Sequence, residues 1–234
     1  MILLSTENKT LINSIDDLGI KNIIFDFDGT MHPKLFLADA SKTFFKNSGE
    51  FSHLNKLLKL SKNKKSSFEE ILIEYINIMK GISASSFDDF CLKHPIDYYP
   101  SLKCTIKKFK SLGLKIFLSS LTSKAIAERV KNELNLDGCT YFPYPINYFQ
   151  KNKKFAQLEN GINVSNLAKF KLDSCIEQGW IGASPIIMVG DSSQDDELFN
   201  FSSISIGINP TSSFPFNYIF RDLKDPWKKL INLI

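Results

Sequence analysis

The chain has 234 residues, 43% of them hydrophobic and 23% charged, a composition typical of a globular protein that can bury a sizeable core. Its formal net charge of +4 allows an anionic ligand, but the sequence lacks the concentrated basic patch of a nucleic-acid-binding protein. No apolar run approaches the roughly 18 residues of a membrane span. The four cysteines are scattered without a Cys-x-x-Cys pair, which argues against a zinc site and predicts a reduced, cytoplasmic protein.

The first predicted elements are a helix over 5–18, closed by Gly19, and a short strand over Asn22–Phe25. The strand residues are apolar at successive positions, as in a parallel strand covered on both faces. Asp26 and Asp28 follow directly, and in open α/β sheets the ligand crevice lies at this carboxyl end. The two carboxylates therefore predict chemistry at the end of the strand, and a simple Asp-Gly turn is the alternative.

The periodicity is then helical as far as about residue 98, in four segments over 35–47, 51–60, 68–80 and 87–94. A capping box that begins at Ser67 fixes the start of the third segment. No strand pattern interrupts this block. The sequence therefore predicts a core domain over 1–32 and 99–234, with a helical domain over 33–98 inserted after the first strand.

In the second half of the chain helices and strands alternate, which is the signature of a parallel α/β sheet. A helix with Ser101 at its N-cap leads to a strand over 114–118, which ends in the hydroxyl-rich loop 119–122. Hydroxyl groups and free backbone amides at such a point can bind phosphate. The alternative is that Thr122 or Ser123 only caps the helix that follows.

In chain order, the remaining predicted elements are a strand over 139–146, a polar loop over 147–163, a helix over 166–178, strands over 185–189 and 203–208, and a helix that begins at Asp225-Pro226. The strand over 185–189 ends in Gly-Asp-Ser-Ser-Gln-Asp-Asp-Glu, which has four acidic residues within seven positions. This loop is the second strong indication of a functional site.

The two acidic loops belong together, because the carboxyl ends of parallel strands meet at one edge of a sheet. Carboxylates that converge there repel each other unless a cation lies among them. Such an all-oxygen site suits Mg²⁺, which keeps several waters and takes further oxygens from a substrate phosphate. A carboxylate can then attack phosphorus and form an aspartyl-phosphate, while hydroxyls and a lysine neutralise the remaining oxygens.

Three ordered motifs lie at these strand ends. Residues 23–30 read Ile-Ile-Phe-Asp-Phe-Asp-Gly-Thr, residues 116–119 read Ile-Phe-Leu-Ser, and residues 188–195 read Met-Val-Gly-Asp-Ser-Ser-Gln-Asp. Together they resemble the haloacid dehalogenase superfamily of phosphohydrolases. The resemblance implies an α/β fold with a Rossmann-like parallel sheet, and it identifies the insert as a helical cap domain of the first type, which selects the substrate.

The resemblance also implies roles for the acidic residues. Asp26 would be the nucleophile and a metal ligand. Asp28 would be the general acid and then the base, with its backbone carbonyl on the metal. Asp191 would be a direct Mg²⁺ ligand supported by Asp195, although Asp196 could take that supporting role instead.

Phosphate binding in this family uses a serine or threonine and a lysine. Ser119 matches the hydroxyl residue. For the lysine, which stands about two dozen residues before the last motif, Lys169 has the nearest spacing and Lys171 is the alternative. A different loop path would be needed to use Lys151, Lys153 or Lys154.

The predicted function is thus a Mg²⁺-dependent phosphatase that acts on a small phosphorylated metabolite, without a nucleic-acid or membrane partner. A phosphomutase of the same family would use the same residues. A binding or regulatory module that has kept the fold without turnover is the alternative from a different class. The dehalogenases of the family lack the second acid of the first motif, so Asp28 argues against their chemistry.

Overall fold

The computed structural model describes residues 11–46, 52, 56, 84–142, 167–182 and 184–234. The chain forms two compact units. The first comprises Met1–Lys34, Ile96–Phe142 and Leu167–Ile234, and the second comprises Leu35–Pro95 and Pro143–Asn166. Among the described residues, no helix is long and apolar enough to cross a membrane.

The first unit contains a six-stranded sheet with the strand order β3-β2-β1-β4-β5-β6. Its strands are β1 (Asn22–Phe25), β2 (Lys115–Ser119), β3 (Gly138–Thr140), β4 (Ile186–Gly190), β5 (Ile204–Ile208) and β6 (Tyr218–Phe220). All neighbouring strands pair in parallel. The predicted parallel α/β sheet is confirmed, and β1 lies near its centre, between β2 and β4.

The described helices are α1 (Leu11–Leu18), α2 (Phe36–Phe44), α3 (Ala84–Lys93), α4 (Leu102–Ser111), α5 (Lys124–Leu134), α6 (Leu167–Glu177), α7 (Asp196–Phe201) and α8 (Pro226–Ile231). A single 3₁₀ turn over Ser193–Asp195 leads into α7. The sequence did not predict β6, which is a three-residue edge strand. The strand predicted over 139–146 is only three residues long, and its second half lies outside the described residues, as does the loop predicted over 147–163.

Both faces of β1 are covered, which explains why the three residues after Asn22 are all apolar and buried. On one face, Phe25 lies edge-on against Trp227, with ring centroids 5.4 Å apart. On the other face, Ile24 is fully buried in a cluster that includes Phe117 and Trp180. Those two aromatic rings stack with their centroids 4.5 Å apart. Asp26, the residue after Phe25, therefore follows a strand that is packed on both faces.

Two serines at helix N-caps lack the side-chain capping bonds that the sequence suggested. Ser101 and Ser123 occupy the N-cap positions of α4 and α5, but neither side chain makes a capping hydrogen bond. The Ser101 hydroxyl instead donates to Asp225 Oδ2 at 2.6 Å. Asp225 is itself the N-cap residue of α8 and precedes Pro226 at the first helical turn, so the start predicted for this helix is confirmed.

In the second unit, aromatic side chains pack α2 against α3. Phe44 lies edge-on to Phe87 and Phe90, with both centroid separations at 5.2 Å. The parts of 35–46 and 84–95 that are described contain helix and no strand. Most of the predicted segments over 51–60 and 68–80, and the capping box at Ser67, lie outside the described residues.

The burial of the central strand predicts a large loss of stability when its core side chain is shortened. Ile24→Ala should lower the free energy of unfolding by about 3 kcal/mol, because it removes buried methyl groups and leaves a cavity. Urea denaturation measures the change. Leu223 is 91% exposed, so Leu223→Ala is the matched control and should stay within about 0.5 kcal/mol of the parent chain. Equal effects of the two substitutions would contradict the assignment of β1 to the core.

Candidate active site

The two acidic loops meet at the carboxyl edge of the sheet. Phe25 of β1 is in register with Val189 of β4, and the Asp26 amide donates to the Val189 carbonyl at 2.9 Å. Among the described residues, Asp26, Asp191 and Asp195 form one cluster in which a carboxylate oxygen from each lies within 4.8 Å of the others. The predicted convergence of the two loops is therefore present in the fold.

A buried lysine contacts two carboxylates of this cluster. Lys171 Nζ donates to Asp26 Oδ1 at 2.7 Å and also to Asp195 Oδ1. Only 2% of its side chain is exposed. Burial disfavours the Lys171 cation, but the adjacent carboxylates of Asp195 and Asp26 outweigh that penalty and raise its pKa. Lys171 is therefore a permanent positive charge beside Asp26.

Lys169, the first choice from the sequence, does not reach these carboxylates, and the expectation for it is corrected. Its side chain is 60% exposed and pairs with Asp173 at 3.9 Å, one turn along α6. Residues two positions apart in an α-helix differ in direction by about 200°. Because Lys171 faces the sheet, Lys169 must face away from it, and the sequence spacing alone could not separate the two.

Two glycines allow the acidic side chains to pack closely. Gly29 has a φ of +82°, and a Cβ atom there would overlap with the Asp191 carboxylate. A Cβ atom at Gly190 would likewise overlap with the Asp195 carboxylate. Any side chain at either position would displace an acidic group of the cluster.

Both carboxylate oxygens of Asp195 accept hydrogen bonds. Its Oδ2 atom accepts long hydrogen bonds from the backbone amides of Asp191 and Ser192, at 3.3 and 3.5 Å, while Oδ1 accepts from Lys171. Asp195 is fully buried. Asp196, the alternative from the sequence, instead accepts a hydrogen bond from the Ser212 hydroxyl at 2.9 Å. Asp195 is thus the member of the pair that lies in the cluster.

The backbone of Asp191 is fixed by a loop that follows β5. The Asp191 carbonyl accepts hydrogen bonds from the Thr211 amide at 2.7 Å and from the Thr211 hydroxyl at 3.2 Å. Sequence reasoning did not single out Thr211. It is a neutral loop residue 20 positions after Asp191, and nothing in its sequence context indicates the contact.

Asp28 lies beside the cluster without contributing a carboxylate to it. Asp28 is partly exposed, and its backbone pairs with that of His32 in an isolated β-bridge. The Gly29 amide donates to the His32 carbonyl at 2.7 Å, which closes the turn. The Asp28 charge is one of the smaller causes that raise the pKa of Asp191.

Ser119 ends β2 next to the nucleophile position predicted from the sequence. Phe25 is in register with Leu118, so the next pair along the two strands is Asp26 and Ser119. The Ser119 hydroxyl is fully buried and accepts a hydrogen bond from Thr140 Oγ1 at 3.2 Å. Thr140, at the end of β3, was not predicted to belong to the site.

The electrostatics of the cluster favour a cation. Burial raises the pKa of Asp26 to about 6; the Lys171 charge lowers it, and the Asp195 charge raises it further. Burial also raises the pKa of Asp191 well above its usual value, and the nearby Asp26 and Asp195 charges add to this. A divalent cation would relieve this repulsion, and a set of carboxylate oxygens suits Mg²⁺. The residues present therefore fit the predicted metal.

Comparison with protein-family models and with curated protein sequences gives no match. Several solved structures are similar in fold. A HAD family hydrolase from Salmonella enterica serovar Typhi has a TM-score of 0.68 and 16% identity, over 92% of this chain and 71% of the other. A substrate-bound phosphoserine phosphatase has a TM-score of 0.67 and 18% identity, over 92% of this chain and 98% of the other.

A further phosphoserine phosphatase structure, described as a phospho-aspartyl intermediate analogue, has a TM-score of 0.60 and 19% identity, over 82% of this chain and 87% of the other. Identities this low establish a shared fold rather than a shared substrate. The strand order and these alignments, which cover 82% to 92% of this chain, agree with the resemblance seen in the sequence motifs. This chain therefore has the fold of the haloacid dehalogenase-like hydrolases.

Proposed function

We propose that this protein is a Mg²⁺-dependent phosphohydrolase that cleaves a small phosphomonoester through an aspartyl-phosphate on Asp26. The observation that carries the proposal is the contact of Asp26 with the buried Lys171 inside a cluster of carboxylates at the carboxyl edge of the sheet. The fold likeness to phosphoserine phosphatases supports a phosphomonoester as the substrate class.

Asp26 supplies the nucleophile. An oxygen of its carboxylate attacks phosphorus, and the bond from phosphorus to the substrate oxygen breaks. Attack requires the deprotonated carboxylate, and both the Lys171 cation and a bound divalent ion favour that form. Because the Lys171 charge lies beside Asp26 before substrate arrives, little reorganisation is needed at the moment of reaction.

Asp28 acts first as the general acid and then as the general base. In the first step its carboxylic acid gives a proton to the departing alkoxide, which leaves as the alcohol. In the second step its carboxylate takes a proton from water, whose oxygen attacks phosphorus and breaks the bond to Asp26. Phosphate is released, and both aspartates return to their starting protonation states.

The phosphate oxygens are bound by Ser119 and Lys171, and Lys171 takes the role that the sequence first suggested for Lys169. Asp26, Asp191 and the Asp28 backbone carbonyl would hold Mg²⁺, while Asp195 orients Lys171 and the amides of the last acidic loop. When bound, the ion would neutralise charge on the transferring phosphoryl group and on the carboxylates around it. Thr211 keeps the Asp191 backbone in position.

The first prediction is that phosphate release from an aryl phosphate such as p-nitrophenyl phosphate requires Mg²⁺. Excess EDTA should abolish turnover and added Mg²⁺ should restore it, as a colorimetric assay measures. Because Asp26 has a raised pKa of about 6 without metal, protons compete with the ion. Calorimetric titration should therefore find weaker Mg²⁺ binding at pH 5 than at pH 8. Undiminished turnover in EDTA would contradict the metal assignment.

The second prediction separates the two aspartates of the first loop. Asp26→Asn should lower kcat by about 10⁴-fold or more, because the nucleophile is lost. Asp28→Asn should slow alkyl phosphates far more than aryl phosphates, whose leaving groups need little protonation. A crystal structure with Mg²⁺ and beryllium fluoride gives the direct check. Density bonded to any carboxylate other than Asp26 would refute the assignment.

The third prediction uses the two lysines of α6 as a matched pair. Lys171→Gln should lower kcat/KM for the aryl phosphate by about 100-fold or more, because a preorganised charge next to the phosphoryl group is removed. Lys169→Gln makes the same chemical change on the same helix and should stay within about two-fold of the parent enzyme. Denaturant unfolding of both variants verifies that they are folded. If Lys169→Gln has the larger effect, the reassignment to Lys171 is wrong.

A further inference from the structure

One long-range contact reaches the catalytic loop from the last helix of the chain. Trp227 is fully buried, and its indole Nε1 atom donates a hydrogen bond to the Thr30 backbone carbonyl at 2.9 Å. The two residues are 197 positions apart in the sequence. Thr30 belongs to the loop that carries Asp26 and Asp28.

Thr30 connects this contact to the nucleophile. Its hydroxyl lies 3.4 Å from Asp26 Oδ2 and donates to that atom, while Lys171 binds the opposite oxygen, Oδ1. The Thr30 amide donates to the Phe27 carbonyl at 3.2 Å. A shift of the Thr30 backbone would therefore move the turn and change the orientation of the Asp26 carboxylate.

The tryptophan is itself firmly held. Its ring lies edge-on against Phe25, the last residue of β1, at a centroid separation of 5.4 Å. The helix that carries it starts at Asp225, which accepts a hydrogen bond from the Ser101 hydroxyl at 2.6 Å. The Asp225 amide donates to Asp222 Oδ1 at 3.3 Å. The indole donor is thus fixed in relation both to the strand before Asp26 and to the loop after it.

We propose that Trp227 is a positioning residue for the phosphoryl-transfer reaction, acting through Thr30 to fix the loop that presents Asp26. This inference rests on the proposed function. The indole is one of the groups that satisfies a buried backbone acceptor at the catalytic turn. Loss of this donor leaves the Thr30 carbonyl without its indole partner in the protein interior, and the turn shifts toward other partners. Small displacements of reacting groups have large effects on rate.

The test replaces the donor and keeps an aromatic ring. Trp227→Phe should lower kcat for the aryl phosphate by about ten-fold while KM changes by less than about two-fold, because the effect lies in the orientation of the nucleophile rather than in substrate binding. Trp180→Phe is the matched control, since Trp180 lies on the opposite face of the sheet and stacks on Phe117. Its kcat should stay within about two-fold of the parent enzyme.

A second measurement uses the unmodified protein. The chain has two tryptophans, so its nitrogen-15 spectrum contains two indole N–H signals, and the signal that Trp180→Phe removes identifies both. Addition of Mg²⁺ and beryllium fluoride should shift the Trp227 signal and leave the Trp180 signal in place. This readout does not depend on turnover, and it still decides the question if Trp227→Phe fails to fold.

The outcomes separate the two proposals. An active parent enzyme whose kcat is equally unaffected by both Phe substitutions would overturn the role of Trp227. So would an indole signal of Trp227 that does not respond when Mg²⁺ and beryllium fluoride bind. A parent enzyme that releases phosphate from no monoester would instead refute the proposed function, and the response of the indole signal to Mg²⁺ alone would then report whether the loop and Trp227 are coupled.

Discussion

The site depends on a lysine buried among carboxylates. Lys171 contacts Asp26 and Asp195 at once, and Asp191 lies next to them. Removing a charge from water is costly, so such a group persists in a protein interior only when its neighbours compensate it. One lysine cannot balance three acidic side chains, which is why burial and mutual repulsion raise the pKa values of Asp26 and Asp191. The arrangement favours an additional cation, which under the proposed function would be a divalent ion.

The parallel sheet makes this concentration of charge possible. Because β1 and β4 are adjacent and run in the same direction, the two acidic loops emerge side by side at one edge. The apolar strands behind them are covered on both faces and resist the repulsion between the loops. Gly29 and Gly190 allow the carboxylates to approach closer than any side chain at those positions would permit. The packing of the apolar strands thus offsets the electrostatic repulsion within the site.

Several contacts that fix the site come from distant parts of the chain. Thr211, in the loop after β5, holds the Asp191 carbonyl, and Trp227, in the last helix, holds the Thr30 carbonyl. Both bonds are directed at backbone oxygens of the two acidic loops rather than at carboxylates. They constrain where the loops lie without engaging the acidic side chains. Such supporting groups are often as necessary as the groups they support.

The sequence by itself determined the parallel α/β class, the central strand and the acidic character of the two loops, because those signals are local. A buried parallel strand is apolar at every position, and its acidic loop follows it directly. Only the tertiary structure distinguished Lys171 from Lys169 and Asp195 from Asp196. In each case two candidates lie one or two positions apart, and the choice depends on how a helix or a turn is rotated about its axis. The apolar residues of α6 do not define one face clearly, since Leu167 and Leu172 are buried whereas Ile176 is 45% exposed. Packing against the sheet decides that rotation, and with it the lysine that is buried beside Asp26.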